Sequence, residues 1–268
     1  MSVVAVANQK GGVGKTTTTV NLAAASAEAG RRTLVIDADA QANATSALGA
    51  QPQGAFLYDA LLGQTQLQSC IVSTSWPGLD AVPSSMDLVA AEIELAAHSR
   101  REYVLRGALT EVAGSYDLVL IDCGPSLGLM TLNALAAADA AIAPVQCEYL
   151  ALEGLSALLE TIRRVQVHLN PGLHLLGVVA TMYDGRTRLS QDVATQLKAH
   201  FSAMFDTIIP RSIRLSEAPS HQRPIIDYAP RSRGAEAYRE LADELLNRLS
   251  DLPPSTLYRD GALDGVAR

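Results

Sequence analysis

Short apolar runs alternate with longer segments of helical periodicity along most of the chain. The apolar runs are bounded by glycine, proline or charged residues, and this pattern predicts buried β-strands. These predicted strands are residues 3–7, 33–36, 79–82, 116–121, 140–145, 173–181 and 207–210. The segments between them repeat apolar residues at helical spacing. They predict helices over 16–29, 86–97, 102–112, 127–137, 152–168, 190–200 and 235–249.

The alternation of strands and helices predicts an α/β fold, in which helices cover both faces of a mostly parallel twisted sheet. The helices supply the right-handed crossovers that parallel strands need. We find no internal repeat and no linker, so we expect residues 1–250 to form one domain. Residues 251–268 contain two successive prolines and mixed charge, and we expect a flexible C-terminal tail there.

Composition narrows the class of protein. Of the 268 residues, 48% are apolar and 18% are charged, and the net charge of −7 gives no general signal for nucleic acid binding. The three cysteines are not spaced as metal ligands or as a disulfide framework, so they indicate a reducing compartment. The N-terminus lacks a basic leader and no apolar run is long enough to span a bilayer, so we expect a cytoplasmic protein.

A glycine-rich loop connects the first predicted strand to the first predicted helix. It reads Lys10-Gly11-Gly12-Val13-Gly14-Lys15-Thr16 and is followed by Thr17. In such a loop the backbone N–H groups and the helix N-terminus bind phosphate. We expect Lys15 on the β- and γ-phosphates of a nucleotide, Thr16 on Mg²⁺ and Thr17 on the α-phosphate. The alternative is a glycine-rich turn that binds no ligand.

Carboxylates follow two of the predicted strands. Asp37 directly follows residues 33–36, and Asp39 comes two residues later. Asp122 directly follows residues 118–121. The carboxyl ends of parallel strands are where open α/β sheets bind ligands. The apolar run before Asp122 is typical of a Walker B strand, which predicts that Asp122 holds Mg²⁺ through water. Asp37 and Asp39 suit a metal ion and water, or else a helix cap or turn.

Lysine is rare in this chain. Three lysines, at positions 10, 15 and 198, stand against 18 arginines. Two of the three lie in the glycine-rich loop, where a compact ammonium group makes contacts that a planar guanidinium does not. The phosphate loop explains Lys15. Lys10 is a second cation at a position that a phosphate can reach, and the alternative is that its placement is chance.

The loop that starts with Lys10 resembles the deviant Walker A motif of the ParA/MinD group of ATPases. The resemblance implies an ATP-dependent homodimer, a nucleotide sandwich in which Lys10 reaches the phosphates bound to the partner subunit. It also implies that residues 37–43 are switch I and residues 123–126 are switch II. In switch I, Asp39 would orient the attacking water and Asp37 would help to organise the metal shell. Slow intrinsic hydrolysis, open to stimulation by a partner protein, is expected.

Motifs in the C-terminal half are similar to those of the chromosomal ParA proteins, also called Soj. They are residues 144–149, 151–154, 181–187, 209–220 and 230–235. In that family the turn at 209–212 forms the adenine pocket. The resemblance therefore implies that Pro210 flanks the base, with Ser212 beside it in place of the family's asparagine.

Positive charge concentrates in one part of this acidic chain. Residues 186–239 carry nine basic and five acidic side chains. Contacts from arginine and lysine to phosphates do not depend on base sequence. Together with the family resemblance, this patch implies non-specific binding to double-stranded DNA, and a solvated charged surface is the alternative. The leading candidates for contact are Arg186, Arg188, Arg214 and Arg233.

These observations predict a chromosome-partitioning ATPase associated with the nucleoid. In this hypothesis the ATP-bound dimer binds DNA, and a ParB-like centromere-binding protein stimulates the hydrolysis that releases it. The alternatives are a MinD-like membrane-cycling ATPase, a metabolic ligase or reductase of the same superfamily, and a regulator of replication initiation. The membrane alternative needs a C-terminal amphipathic helix. Residues 251–268 are poor in large apolar groups and include three aspartates, so we expect no membrane partner.

Overall fold

One mixed sheet forms the centre of the protein. The computed structural model describes residues 1–148, 151–253 and 257–258, and for residues 151–153 it describes the backbone alone. The strands are β1 (Ser2–Val6), β2 (Thr33–Ala38), β3 (Val72–Ser73), β4 (Leu79–Val82), β5 (Leu118–Cys123), β6 (Ala140–Gln146) and β7 (His174–Thr181). Their spatial order is β3-β4-β2-β5-β1-β6-β7. All neighbouring pairs are parallel except β3 and β4, which pair antiparallel at one edge.

Helices connect the strands and cover the sheet. The α-helices of the described chain are α1 (Lys15–Glu28), α2 (Asn43–Ala47), α3 (Leu57–Leu61), α4 (Leu67–Cys70), α5 (Leu88–Leu95), α6 (Val104–Leu109), α7 (Leu129–Ala137), α8 (Ala151–His168), α9 (Arg188–His200), α10 (Ile213–Glu217), α11 (Ile225–Tyr228) and α12 (Arg233–Ser250). Short 3₁₀ turns lie at Arg101–Tyr103, Thr110–Val112 and Ala218–His221.

Side chains alternate between the two faces of the sheet. Along β1, Val3 and Ala5 belong to one apolar core and Val4 and Val6 to the other, and all four have no exposed surface. Helices α5 to α9 pack on the first face, and α1, α11 and α12 pack on the second. Burial of both faces explains why the strands read as continuous apolar runs. The predicted α/β fold with helices on both faces is confirmed.

The carboxyl ends of β2 and β5 place two aspartates side by side. Asp37 on β2 is in register with Asp122 on β5, and Asp122 is also in register with Val6 at the end of β1. The loop after β1 therefore starts next to both carboxylates. Strands later in the sequence lie on both sides of β1. An open α/β sheet forms its ligand cleft at such a position.

The predicted strand over 207–210 is wrong. The chain there runs beside β7, with the Ile209 N–H donating to the Ala180 carbonyl at 2.8 Å and the Tyr183 N–H donating to the Ile209 carbonyl at 3.1 Å. The pairing closes in a single bridge at Pro210. The Arg211 N–H completes this bridge by donating to the Tyr183 carbonyl at 2.9 Å, and because the bridge is isolated the segment does not form a strand.

The predicted helices differ from the structure mainly at their ends. The helix expected over 86–97 is α5, which is shorter, and the one expected over 102–112 is α6 with a 3₁₀ turn on either side. The short edge strand β3 and the helices of four or five residues carry too little periodicity to be recognised. The end predicted for the first helix at residue 29 agrees with α1 to within one residue, and Gly30 follows with φ of 83° and its N–H donating to the Ala27 carbonyl.

Past α12 the chain returns to the protein body. Leu252 packs on the core that contains α12, and Tyr258 packs on the opposite core with its hydroxyl donating to the Ala137 carbonyl. Only five positions of the expected tail are described, so a flexible tail after a single domain of residues 1–250 stays a prediction. Among the described helices, none is long and apolar enough to cross a membrane.

Candidate active site

The glycine-rich loop joins β1 to α1 with its backbone beside an open cleft. Gly12 and Gly14 have φ of 74° and 89°, a left-handed conformation that residues with a Cβ rarely adopt. A Cβ on Gly11 or Gly12 would meet no atom within 4 Å, so the space over the loop is open. Helix α1 begins directly after the loop, and the free N–H groups of its first turn border the cleft.

Two connected hollows make up this cleft. The first has a volume of about 590 Å³ and the second about 300 Å³. Met182 and Pro219 border both, as do Gly14 and Thr17. Of the residues predicted from the sequence, the first hollow is lined by Gly11, Gly12, Gly14, Lys15, Thr16, Thr17 and Asp39, and the second by Pro210 and Ser212.

Lys15 is the buried cation of the first hollow, which is also lined by Arg223, a residue paired with Asp227. The Lys15 side chain is almost completely buried, and its Nζ donates to the Lys10 carbonyl at 3.2 Å. Burial lowers the pKa of Lys15, while Asp122, Cys123 and Asp39 act in the opposite direction. The hydrogen-bond partner of Lys15 Nζ is a neutral carbonyl, and no carboxylate of the described chain bonds directly to the ammonium group. An anion in the hollow would supply a charge-assisted hydrogen bond to it.

Asp122 is fully buried and accepts two hydroxyl hydrogen bonds from α1. Thr16 Oγ1 donates to its Oδ2 at 2.7 Å, and Thr19 Oγ1 donates to its Oδ1 at 2.9 Å. The two threonines are three residues apart and share one helix face. Burial raises the pKa of Asp122 and the neighbouring Asp37 raises it further, whereas the two hydroxyl bonds lower it. A cation bound at Thr16 would stabilise this carboxylate.

Asp37 and Asp39 take different positions after β2. Asp37 lies behind the cleft, where its Oδ2 accepts from both the N–H and the hydroxyl of Thr45 at 2.7 Å. Burial is the main cause that raises the pKa of Asp37, and the Thr45 bonds oppose it. Asp39 lines the first hollow and accepts from the Gln41 N–H at 3.0 Å. Asp37 therefore orders the segment between β2 and α2, and Asp39 faces the ligand space.

The oxygen groups of the first hollow fit a small divalent cation. The Thr16 hydroxyl and the Asp39 carboxylate line the hollow, and Asp122 lies directly behind Thr16. Within the described parts of the chain, no group of three or more His, Cys, Asp and Glu residues is arranged as a metal site. Mg²⁺ suits such a place, because it keeps several waters and takes further oxygens from phosphates.

Lys10 lies at the edge of the loop, outside the lining of the first hollow. Its N–H donates to Asn8 Oδ1 at 3.0 Å, and Asn8 Nδ2 in turn donates to the Pro144 carbonyl at 2.8 Å. Helix α8 packs close by, since a Cβ on Gly154 would lie 3.3 Å from the Lys10 Cβ. The Lys10 backbone is therefore fixed, while its half-buried side chain makes no hydrogen bond or ion pair with a described residue.

The second hollow lies between β7 and the segment after it. Thr181 at the end of β7 donates its hydroxyl to the Val13 carbonyl at 2.8 Å, which joins β7 to the glycine loop. Val13 itself is buried, so only its backbone can reach a ligand. The walls are largely apolar and suit a planar base. They include Met182, Ile209, Pro210, Leu215 and the Tyr238 ring.

All four arginines predicted to contact DNA are exposed, namely Arg186, Arg188, Arg214 and Arg233. Arg186 and Arg233 border one open cleft of about 750 Å³, which adjoins the second hollow because Pro210 lines both. The structure brings these two arginines together. Arg188, at the start of α9, and Arg214, in α10, are not part of that lining.

Two of these arginines already have carboxylate partners. Arg186 donates to both carboxylate oxygens of Asp184, the shorter distance being 2.7 Å, and this bonding lowers the pKa of Asp184 to about 2. Arg214 pairs with Glu217 at 2.9 Å. The other two form no ion pair or hydrogen bond with a described residue. Their full charge is available to a phosphate.

Sequence reasoning missed several residues of the site. Thr19 is recognisable afterwards, because it lies one helical turn beyond Thr16 on the face toward Asp122. Thr45 orders Asp37 from eight residues away, and Met182 borders both hollows with a φ of 52°. Neither position has a local pattern that reveals it.

A parallel sheet, a phosphate-type loop at the start of α1 and a buried aspartate bonded to the loop threonine define a P-loop nucleotide-binding protein. The profile of a family described as an AAA domain matches residues 1–175.

Relatives with curated names are similar over almost the whole chain. It is 51% identical over 246 residues to the sporulation initiation inhibitor protein Soj of Bacillus subtilis, with 91% of this chain and 97% of that protein covered. It is 48% identical over 256 residues to the chromosome partitioning protein ParA of Caulobacter vibrioides, with 94% and 96% covered. The chain belongs to the Soj/ParA family of chromosome-partitioning ATPases.

A solved structure shares the fold over nearly its full length. It is a Mycobacterium smegmatis protein named cobyrinic acid a,c-diamide synthase, with a bound ATP analog and magnesium. The TM-score is 0.83 at 40% identity, and the match covers 96% of this chain and 100% of that one. The expected P-loop ATPase architecture is therefore confirmed by the comparison as well as by the sheet.

Proposed function

We propose that the chain hydrolyses ATP as a dimer, that the ATP-bound dimer binds DNA without sequence preference, and that hydrolysis releases it. The observation that supports this most directly is the unequal placement of the two loop lysines. Lys15 is buried inside the first hollow, and Lys10 lies outside that hollow with a fixed backbone and an unpaired ammonium group among the described residues.

ATP fits the cleft with its phosphates at the glycine-rich loop and its base in the second hollow. The N–H groups of residues 11–14 and the ammonium group of Lys15 would bind the β- and γ-phosphates. Thr17 borders both hollows, which suits contact with the α-phosphate between them. Pro210 would flank the base, with Ser212 at its edge.

Thr16, Asp37 and Asp122 are the protein groups proposed to position Mg²⁺. Thr16 would be the direct ligand, Asp122 would act through Thr16 and water, and Asp37 would keep switch I in place through Thr45. When bound, Mg²⁺ neutralises charge that develops on the phosphate oxygens. Asp39 lines the hollow and would hold and orient the attacking water.

Lys10 is proposed to act on the other subunit. Because Lys10 does not line its own cleft, its ammonium group would instead meet the phosphates of a second copy placed face to face. Each monomer then lacks one cation of its active site, so hydrolysis requires the dimer.

The exposed arginines of residues 186–239 are proposed to bind the DNA backbone, and dimerisation would double their number. Because DNA affinity depends steeply on the number of phosphate contacts, a monomer–dimer change acts as an affinity switch. A ParB-like partner would then set the rate of release by stimulating hydrolysis. The name of the mycobacterial structure, an amide synthase, favours a different reaction, but the relatives of higher identity are partitioning proteins.

Retention on immobilised duplex DNA of arbitrary sequence tests this proposal. Three samples are compared: the protein with ATP, the protein with ADP, and Lys15→Ala with ATP. We expect strong retention only in the first sample, with a steep loss as salt is raised. Equal retention in all three would refute the switch. Consumption of an organic acid and an amine donor together with ATP would favour the amide synthase instead.

A further inference from the structure

Helix α5 and the turn before it carry an exposed apolar stripe, which we call the α5 stripe: Met86, Val89 and Ile93. These side chains are 63%, 52% and 74% exposed. Their spacing of three and four residues places them on one face of the helix. The opposite face, with Leu88 and Leu95, is completely or almost completely buried in the core. Half of the exposed large apolar side chains in the described parts of the chain belong to this one stripe.

Carboxylates border the stripe on both sides. At 100° per residue, Asp87 and Glu94 lie along one edge and Glu92 lies along the other. Asp87 and Glu94 are exposed, and the Tyr58 hydroxyl donates to Glu94 at 3.1 Å. An apolar strip between acidic edges is complementary to a helix with an apolar face and lysine or arginine at its margins.

Glu92 connects this helix to the segment that follows switch II. Its Oε1 accepts from the Met130 N–H at 3.2 Å, in the first turn of α7. Helix α7 has Gly128 as its N-cap and no side-chain cap of its own, so the carboxylate from α5 takes that role. The contact is close, since a Cβ on Gly128 would lie 3.0 Å from Glu92 Oε1.

We propose that the α5 stripe is the docking surface for a basic amphipathic helix of another protein. We also propose that docking stabilises the start of α7 through the contact of Glu92 with that helix. A second copy of this chain is a poor occupant, because a symmetric contact would bring the same carboxylates face to face. Nucleic acid and an anionic membrane surface are repelled for the same reason. The surface lies outside the nucleotide cleft, and docking on it does not require the proposed ATP cycle.

Fluorescence anisotropy with a defined probe tests the docking. The probe is a labelled amphipathic peptide of leucine and lysine, about five helical turns long, and its counterpart carries glutamate in place of lysine. The stripe variant is Val89→Ser with Ile93→Ser. Its control is Val167→Ser with Leu189→Ser, which removes two exposed apolar side chains from α8 and α9. Circular dichroism and thermal melting establish that both variants are folded.

We expect the lysine peptide to bind the wild type and the control alike, and the stripe variant about tenfold more weakly. The glutamate peptide should not bind. Asp87→Asn with Glu94→Gln should weaken binding and reduce its salt dependence. Equal affinity of the stripe variant and the wild type would overturn the proposal.

Sedimentation velocity tests whether a second copy of the chain occupies the stripe, and flotation with vesicles of anionic phospholipid tests whether a membrane does. If the stripe variant loses self-association, or loses vesicle binding that the wild type shows, the occupant is a second copy or a membrane and the proposal is wrong. Hydrogen exchange then tests the stabilisation of α7. The peptide should protect residues 127–137 in the wild type but not in Glu92→Ala, which should still bind the peptide. Equal protection in both would refute the role of Glu92.

Discussion

Thr16 Oγ1 donates a hydrogen bond to Asp122 Oδ2 at 2.7 Å, and this bond joins the first turn of α1 to the carboxyl end of β5. The threonine faces the first hollow and the aspartate lies behind it. A ligand that binds the Thr16 hydroxyl therefore acts on Asp122 through this hydrogen bond, because Asp122 itself does not line the hollow. Thr19 holds the other oxygen of the same carboxylate at 2.9 Å.

Both threonines bond to the buried Asp122, so either substitution should lower stability, but only Thr16→Val should also strongly reduce catalysis. Thr16→Val keeps the shape of the side chain but removes the proposed Mg²⁺ ligand, so we expect ATP hydrolysis to fall about 100-fold or more. Thr19→Val leaves the hollow intact and deprives a buried carboxylate of a partner, which should cost about 1–3 kcal/mol of unfolding free energy. Phosphate release over a magnesium titration and urea unfolding measure the two effects. Equal losses of hydrolysis in both folded variants would contradict this division.

Lys15 and Lys10 should fail at different steps. Lys15→Ala removes the buried cation of the first hollow, so binding of a fluorescent ATP analogue should weaken at least about tenfold. Lys10→Ala should bind the analogue nearly as well as the wild type does, yet lose ATP-dependent dimerisation in sedimentation velocity. Lys10→Arg tests whether a compact ammonium is required. An ATP-dependent dimer of Lys10→Ala with normal hydrolysis would show that Lys10 does not act on the partner subunit.

The unpaired arginines should contribute more to DNA affinity than the paired ones. Arg188→Ala and Arg233→Ala each remove a free cation, and each should lower the slope of log affinity against log salt by about one. Arg214→Ala should change affinity less, because Glu217 already neutralises that guanidinium. Arg164→Ala on α8 is the control. Titrations of duplex DNA at several salt concentrations measure these slopes, and identical slopes for all four variants would rule out a specific patch.

Gly177 on β7 should tolerate no side chain. A Cβ there would lie 2.1 Å from the Ala203 carbonyl oxygen and 2.7 Å from a guanidinium nitrogen of Arg248, which packs 4.0 Å over the Phe205 ring. Gly177→Ala should therefore lower the unfolding free energy by about 3 kcal/mol or more. Gly107→Ala is the matched control, because its Cβ would meet nothing within 4 Å. In helix α6 it should stabilise by about 0.5–1 kcal/mol. Urea unfolding measures the change in unfolding free energy of both variants, and equal changes would contradict the prediction.

Periodicity predicted the central strands because both faces of the sheet are buried and each strand is almost wholly apolar. It failed at 207–210, where the chain follows β7 but forms an isolated bridge at Pro210 instead of a ladder. An apolar run in the sequence does not distinguish a strand from a segment that forms an isolated bridge. The sequence pattern also did not show where α6 ends and the flanking 3₁₀ turns begin within residues 102–112, because 3₁₀ turns share most of the α-helical pattern.

The candidate site was predictable where its residues are neighbours in sequence. The glycine loop and the two aspartates that end strands are contiguous motifs, and parallel strands bring such ends together. Thr45, which holds Asp37, and Met182, which borders both hollows, come from distant segments. Their roles depend on how the loops after β2 and β7 pack. No short-range pattern encodes that packing.

The threonine run that opens α1 fixes the helix on several sides at once. Two of its hydroxyls bind Asp122 on β5, Thr18 lies 3.3 Å from the Tyr238 hydroxyl of α12, and one turn later Asn21 accepts from the Ile225 N–H at 2.6 Å. A helix held in this way can neither rotate nor slide without breaking bonds to three other elements. We therefore expect any conformational change between nucleotide states to occur in the loops around α1, while the helix itself keeps its position. Its amides should be among the slowest to exchange with deuterium in every nucleotide state.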